Sequence, residues 1–547
     1  MKNDIKNILN LFNKRQFEEV KQLALNILKE NQDSQIYLIL GMTHSELNEI
    51  SDAVKAIKKS IEIKSINPDA YNNLGTIFNK IKDYDNAILS YEKAIEQKDS
   101  YFQAYFNLGN SLKAKGLINE AKKSYLKSIK INSNYFEANL NLGIIYHNES
   151  LYDEAIDCFE CAIEAKPSSL SAYNNLGNTL LAKGEGSLAI KAYKKGIALD
   201  KNNFKIYSDL GNAYKLTGDH KNAIFNIEKS IELNPKYSEN YSNLANIYND
   251  IGDINKAIEL YKTALNYNPN LIFVNYNLAM IFYKLNKLES AIKYFKLSKY
   301  NDYEERILQC QYKLGLFKEF NIGLDNQIKK RNVSRLIASL SAHASISLKQ
   351  SNDYNFCKNP LDYIVKEKIY DKNLLSSLFN KIKEDNINHR HQGLLDNGIQ
   401  SSGNIFDLGD SVFSELKEVI FKFSDLYVNS FKEKECEFIK NWPKQRKIRG
   451  WYVHMKENGF LKPHIHEGGW LSGSLYISMP EKKENLNQGN IEFGLDGYDY
   501  PQKNGKFKKT IINVLEGDIV MFPSSLFHNT IPFKGKERIC IAFDINP

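Results

Sequence analysis

Residues 71–75 read YNNLG, and the same frame returns as YFNLG at 105, NLNLG at 139, YNNLG at 173, YSDLG at 207, YSNLA at 241 and NYNLA at 275. The interval is 34 residues throughout. Upstream, YLILG at 37 keeps the register, and a looser unit before it lacks the small residues, as the terminal cap of a repeat array does. About nine units therefore fill the first 308 residues. Glycine or alanine recurs at 41, 75, 109, 143, 177, 211, 245 and 279, and alanine recurs twelve residues later at 53, 87, 121, 155, 189, 223, 257 and 291. Each unit holds two apolar runs of helical spacing, separated by breakers such as KDYDN (82–86) and TGDHKN (217–222). That is a helical hairpin whose paired small residues mark where its two helices approach closely. Pro167, Pro235 and Pro269 fall at the end of the second helix, where the chain turns into the next unit.

The pattern of leucine, small residue, tyrosine, alanine, aromatic, alanine and proline resembles the tetratricopeptide repeat. The resemblance implies an all-α solenoid with an extended concave groove, a surface for binding rather than for chemistry. The residue before the motif leucine is Asn73, Asn107, Asn141, Asn175, Asn243 and Asn277, with Asp209 at the equivalent place in one unit. Stacked units set these carboxamides in a row, and a carboxamide offers both a donor and an acceptor to an extended peptide backbone. A peptide ladder and a plain consensus habit of the repeat both account for the asparagines.

Composition narrows the classes. Of 547 residues, 42% are hydrophobic and 25% charged, ordinary values for a folded chain that is too long for one core. The net charge of +8 is spread through alternating lysines and acids with no basic arm, so no nucleic-acid partner is expected. No stretch approaches eighteen apolar residues and the N-terminus has no apolar leader core, so no membrane partner is expected and a cytoplasmic location is the default. Six cysteines are scattered without a disulfide framework, and the CxxC at Cys158 and Cys161 falls inside a helical pattern, where small buried residues are often cysteine.

After Leu308 the 34-residue register is lost, although residues 309–350 still read as helix and cap the solenoid. The polar, proline-containing run at 351–363 is the expected junction, giving domains at 1–350 and 351–547. Amphipathic helices are expected around 371–384 and 412–434. From Arg446 onward the period changes to that of strands, in RGWYVHM, SGSLYIS, NIEFGL, KTIINVL, DIVMFP and ERICIAFDI, as in an antiparallel barrel or jelly roll.

Ten histidines occur in the chain, and three are arranged suggestively: His464 and His466 in KPHIHEGGW, and His528 in FPSSLFHNT. Alternate strand residues share a face, so His464 and His466 can point together into a barrel while His528 returns on a neighbouring strand. Three imidazoles on one face suit a first-row transition metal. Arg538 opens the last strand, ten residues beyond His528. Glu492 and Asp544 read most simply as strand-face charges, His454 as structural, and the second HxH at His389 and His391 as solvent-facing. Gly468, Gly469 and Trp470 fit either the mouth of a pocket or a turn followed by a core tryptophan.

The run RGWYVHMKENGFLKPHIHEGGWLSGSLYISMP, continued by GNIEFGLDGYDYP and GDIVMFPSSLFHNTIPFKGKERICIAFD, resembles the 2-oxoglutarate and iron(II) dependent oxygenase domains found behind tetratricopeptide repeats. The similarity extends back to about residue 360. It implies a double-stranded β-helix, a jelly-roll or cupin-like fold, with flanking helices. It also implies Fe(II) and 2-oxoglutarate as cofactor and cosubstrate, with His464 or His466 and His528 as iron ligands. Arg538 would pair with the far carboxylate of 2-oxoglutarate, helped by Tyr476. The family's usual motif has a carboxylate where this chain has His466, which leaves three readings of the metal site: three histidines, two histidines and water, or Glu467 reaching in. The activity implied is dioxygen-dependent hydroxylation coupled to decarboxylation of 2-oxoglutarate to succinate, with the repeat arm recruiting a protein or peptide. The alternatives are a small molecule or sugar as substrate, and an interaction scaffold whose metal-binding barrel is inactive.

Overall fold

The computed structural model describes residues 2–300, 302–331, 333–384, 389–390, 393–481 and 486–547, and only the backbone at 2–3 and 389–390. They fall into two compact units, Met1–Pro269 and Asn270–Pro547.

The first unit consists of helical hairpins, from Lys2–Asn13 with Phe17–Glu30 to Ser238–Asp250 with Ile254–Tyr267. The alanine column is its seam: Ala53, Ala87, Ala121, Ala155, Ala189, Ala223 and Ala257 are all fully buried. The glycine column faces a large side chain sixteen positions on. A Cβ at Gly177 would stand 2.5 Å from the Tyr193 ring, and Gly75, Gly109 and Gly143 meet Tyr91, Tyr125 and Phe159 in the same way. Glycine is there because the second helix lays its ring flat on the first. Gly177→Val should therefore cost on the order of 1–3 kcal/mol through overpacking, read as faster hydrogen exchange in Leu170–Lys183 and Gly186–Leu199. The breakers work as caps. Asp83 and Asp219 accept from the amides of Asn86 and Asn222, three residues into the second helices. Gly218, at φ +82°, lets the first helix end in a left-handed turn that an L side chain rarely adopts.

The second unit contains the hairpin Ile272–Lys284 with Leu288–Ser298, three further helices (Tyr303–Lys313, Phe317–Lys329 and Arg335–Ser347) and an antiparallel sheet. The compact unit thus takes in helices on both sides of the junction expected at 351. The strands are β1 (Val365–Lys368), β2 (His389–Arg390), β3 (Leu395–Ser401), β4 (Lys447–His464), β5 (Leu471–Ser478), β6 (Ile491–Gly494), β7 (Thr510–Ile512), β8 (Asp518–Pro523), β9 (Phe527–Thr530) and β10 (Glu537–Asn546). Helices Lys372–Lys383 and Ser411–Ser430 occupy the expected amphipathic stretches.

The sheet runs β1-β8-β5-β10-β4-β9-β6-β7, with β3 and β2 joined beside β4. It bends because β4 serves two neighbourhoods. Its first ten residues pair with β10, whereas Leu461 and His464 pair with Thr530 and His528 of β9. Between them the ladder is irregular and Asn458 adopts φ +62°. The result is an antiparallel half-barrel.

Period-two alternation decides what each face carries. On β10, Ile539, Ile541, Phe543 and Ile545 join the core that also holds Leu416 and Ile420 of helix Ser411–Ser430, while Arg538, Cys540, Ala542 and Asp544 line a cavity on the concave side. On β8, Ile519 and Met521 join that same core, and Val520 and Phe522 pack on the concave side with Val453, Met455 and Phe493. Both faces of β10 are covered, so nearly the whole strand is buried.

Candidate metal centre

The cavity inside the half-barrel has a volume of about 330 Å³. His464, His466 and His528 line it, and one nitrogen from each lies within 4.8 Å of the other two. His464 closes β4 directly opposite His528 on β9. His466 lies past the end of β4, contrary to its expected place on the strand: the strand stops at His464, and the His466 amide donates to the Ser524 carbonyl at 2.9 Å. The ring still turns inward. Ring centroids stand 4.3 Å apart for His464 and His528, 5.2 Å for His464 and His466, and 4.9 Å for His466 and His528.

Each ring is oriented through Nδ1. His464 Nδ1 faces the Lys462 carbonyl at 2.8 Å, His528 Nδ1 the Leu526 carbonyl at 3.2 Å, and His466 Nδ1 the Asp544 carboxylate at 2.6 Å. An acceptor faces Nδ1 of each ring and assigns a proton there, which leaves Nε2 toward the cavity. His466 Nε2 and His464 Nε2 are 3.3 Å apart, a separation compatible with bonds of about 2.1 Å to one shared ion. Burial pushes the His464 pKa down to about 3, with His466 adding to the shift, and burial beside the other two rings holds His528 well below its ordinary value. Both rings are therefore neutral near pH 7, the state a metal requires.

Asp544 meets a ring of the cluster, a contact that a reading as strand-face charge misses. Its Oδ1 also accepts from Ser472 Oγ at 2.6 Å, and Ser472 lies 2.7 Å from Ser524 Oγ. A Cβ at Gly469 would come within 2.9 Å of that oxygen, so glycine leaves room for the network. The signal was available in sequence, since Asp544 shares the two-residue phase of Arg538. Glu492 behaves as expected, paired with Lys509 at 2.8 Å, and His454 is held by Glu537 at 2.8 Å. Trp470 is a core residue whose Nε1 donates to the Phe438 carbonyl at 3.0 Å, and Gly468 lines the cavity. His391 lies outside the described residues, as does the side chain of His389. Glu467 gives its carboxylate to Arg306 and is absent from the metal-competent cluster.

Arg538 lines the same cavity at 2% exposure. Its Nε donates to the Gly489 carbonyl at 3.0 Å, and Nη1 faces the sulfurs of Cys540 at 3.4 Å and Met455 at 3.8 Å. Among the described residues no carboxylate pairs with it. Its guanidinium lies 5.0 Å from the Tyr476 ring centre, and among the described residues the buried Tyr476 hydroxyl finds no partner at good hydrogen-bond geometry. Burial raises the Tyr476 pKa against an opposing pull from Arg538, so the phenol keeps its proton. A buried cation beside an unsatisfied hydroxyl is costly unless an anion completes the set.

Residues 449–544 match the family described as "Putative 2OG-Fe(II) oxygenase". Tetratricopeptide-repeat models match 34–67, 68–101, 109–149, 136–169, 177–218, 204–237, 226–259, 245–286 and 274–303. The chain thus carries tetratricopeptide repeats between residues 34 and 303 and, behind them, a segment similar to the 2OG-Fe(II) oxygenase family. A comparison with curated proteins finds no match. Similar solved structures include MamA (29% identity, 30% of this chain and 95% of that one, TM-score 0.29) and YrrB, described as a TPR protein with an unusual peptide-binding site (23% identity, 34% and 95%, TM-score 0.31). Another is the C-terminal part of a TPR repeat-containing protein from Cytophaga hutchinsonii (20% identity, 43% and 96%, TM-score 0.38).

In the repeats of the first unit, Asn73, Asn107, Asn141, Asn175 and Asn243 lie half-buried on first helices, and Asn277 has the same setting in the second unit. Some of their hydrogens are spent locally. Asn73 Nδ2 donates to the Asp69 carbonyl at 2.9 Å, while Asn107 and Asn141 donate at 3.0 Å to Asn72 and Asn110 of the preceding hairpin. Each amide nitrogen has a second hydrogen.

Asp544→Ala should weaken metal binding about 10–100-fold, the usual consequence of removing the carboxylate behind a ligating imidazole. Isothermal titration with Co(II) reads it directly.

Proposed function

We propose that the C-terminal segment is a 2-oxoglutarate and Fe(II) dependent dioxygenase built as a double-stranded β-helix, in which His464, His466 and His528 hold the metal and Arg538 with Tyr476 holds the distal carboxylate of 2-oxoglutarate. The observation that carries this reading is a set of three inward Nε2 atoms in the same cavity as a buried arginine that meets no acid among the described residues. When bound, Fe(II) and 2-oxoglutarate would supply the oxidising chemistry, one oxygen atom of dioxygen passing to succinate and the other to substrate.

The chain's own residues have distinct tasks. The imidazoles present neutral donors, and Asp544 keeps the His466 proton on Nδ1. The Arg538 fork matches a carboxylate and neutralises it in a site where water cannot. Val453, Met455, Leu461 and Ile491 keep the walls between the two ends of the cavity apolar, which limits competing water. The repeats would recruit a protein or peptide, with the row of Asn73, Asn107, Asn141, Asn175, Asn243 and Asn277 addressing its backbone.

A non-catalytic metal-binding scaffold is the second reading, favoured by one observation: among the described residues the ligand cluster contains no carboxylate. Purified protein supplied with Fe(II), ascorbate, 2-oxoglutarate and a peptide pool separates the two. Succinate formation that requires metal and is lost in Arg538→Ala supports the oxygenase, and bound iron with no succinate under any peptide supports the scaffold.

A further inference from the structure

The turn that carries His466 is gripped from outside the sheet by the helices that precede it in sequence. Arg306, on helix Tyr303–Lys313, takes both oxygens of Glu467, the residue next to His466: Nη1 donates to Oε1 at 3.2 Å and Nη2 to Oε2. Arg335, at the start of helix Arg335–Ser347, donates from Nε to the Glu467 carbonyl at 2.9 Å. Side chain and backbone of one residue are thus both held. Arg306 is braced in turn by Asp302, at 2.9 Å from Nε, and its side chain is only 12% exposed. Burial opposes the guanidinium charge, but Glu467 and Asp302 outweigh it and keep its pKa above the ordinary value.

The same helices reach the support of His528. Gln309 Nε2 donates to the Tyr500 hydroxyl at 3.0 Å, the rings of Tyr500 and Tyr498 are 5.8 Å apart, and Tyr498 meets Phe527, the residue before His528, edge-on at 5.1 Å. Ser347 Oγ donates to the Pro501 carbonyl at 2.6 Å and fastens the loop that bears these tyrosines. An exposed ion pair contributes little, whereas a two-pronged, largely buried one that fixes a turn fixes everything the turn carries.

We propose that Arg306 and Arg335 are positioning residues of the metal centre. By holding the Glu467 carboxylate and carbonyl, they set the turn after β4 so that the His466 ring faces His464 and His528. Helices Tyr303–Lys313 and Arg335–Ser347 then support the metal site from behind the turn that carries His466. This rests on the three-histidine metal reading given above.

The test uses full-length protein and Co(II), whose absorption bands report coordination geometry. Arg306→Ala, Arg335→Ala and Glu467→Ala should each weaken Co(II) binding about tenfold and alter the visible spectrum. Arg306→Ala/Glu467→Ala should bind no more weakly than the worse single variant, because both changes remove one contact. Arg306→Lys, which keeps charge but not the fork, should fall between wild type and Arg306→Ala. Variants that lower thermal stability but keep the wild-type affinity and spectrum would overturn the positioning role, as would additive losses in the double variant. Wild-type protein that binds no Co(II) would overturn the metal reading itself, a different result from wild-type binding that the variants leave untouched.

Discussion

His528→Ala is expected to remove metal binding at working concentrations and, with it, all metal-dependent succinate formation. His528 stands opposite His464 across the β4–β9 ladder, and its ring centroid is within 5 Å of both other imidazoles. Binding energies of roughly 10–16 kcal/mol for four-ligand protein sites imply about 3 kcal/mol per ligand, so losing one ligand of three weakens the site by at least about two orders of magnitude. The fold should survive, because the backbone pairing of β9 with β4 and β6 does not use the ring. Metal titration and a thermal melt on the same sample check both halves: loss of metal with an unchanged apo melting temperature is the expected pair, and retained tight binding would remove His528 from the ligand set.

Arg538→Leu should act at the other end of the cavity with a different signature. Among the described residues the buried guanidinium has no acidic partner, and its Nη1 faces the sulfurs of Cys540 and Met455. Removing the partner of a buried charged ligand group costs about 2–5 kcal/mol, so 2-oxoglutarate binding should weaken by roughly 30-fold or more, while metal affinity stays near wild type. Stability of the ligand-free protein should move in the opposite sense. A buried cation without an acid beside it is a burden on the fold, and an apolar side chain that packs in its place relieves it. The variant should therefore melt at or above the wild-type temperature without ligand, and should lose the rise that 2-oxoglutarate produces in metal-loaded wild type. A variant that melts far lower and binds 2-oxoglutarate normally would make Arg538 a structural residue.

The two halves of the chain were legible to different depths. In the repeats each unit solves the same packing problem with its nearest neighbours, so the columns at 75, 109, 143 and 177 carry the answer locally, and the structure adds only that the glycines receive an aromatic ring sixteen residues later. In the C-terminal segment, strands such as DIVMFP and ERICIAFDI were readable from period and composition. Strand β1, paired with β8 far along the chain, was not, because VKEK has no apolar face to announce it. The long run of β4 to His464 was hidden for a related reason: its middle, Lys456 to Asn458, is exposed and polar, and only the pairing at either end identifies it as one strand.

Sequence alone determined the solenoid, the change from helices to strands and the three histidines with an arginine beyond them, since periodicity and residue type are written in one dimension. Tertiary structure decided what those residues do to one another. It placed His466 beyond its strand yet beside His464, put Asp544 behind it 78 positions later, and gave Glu467 to Arg306 161 positions earlier. Contacts of that separation depend on how β4 bends and which helices cover it, and no local pattern encodes a distance across the fold.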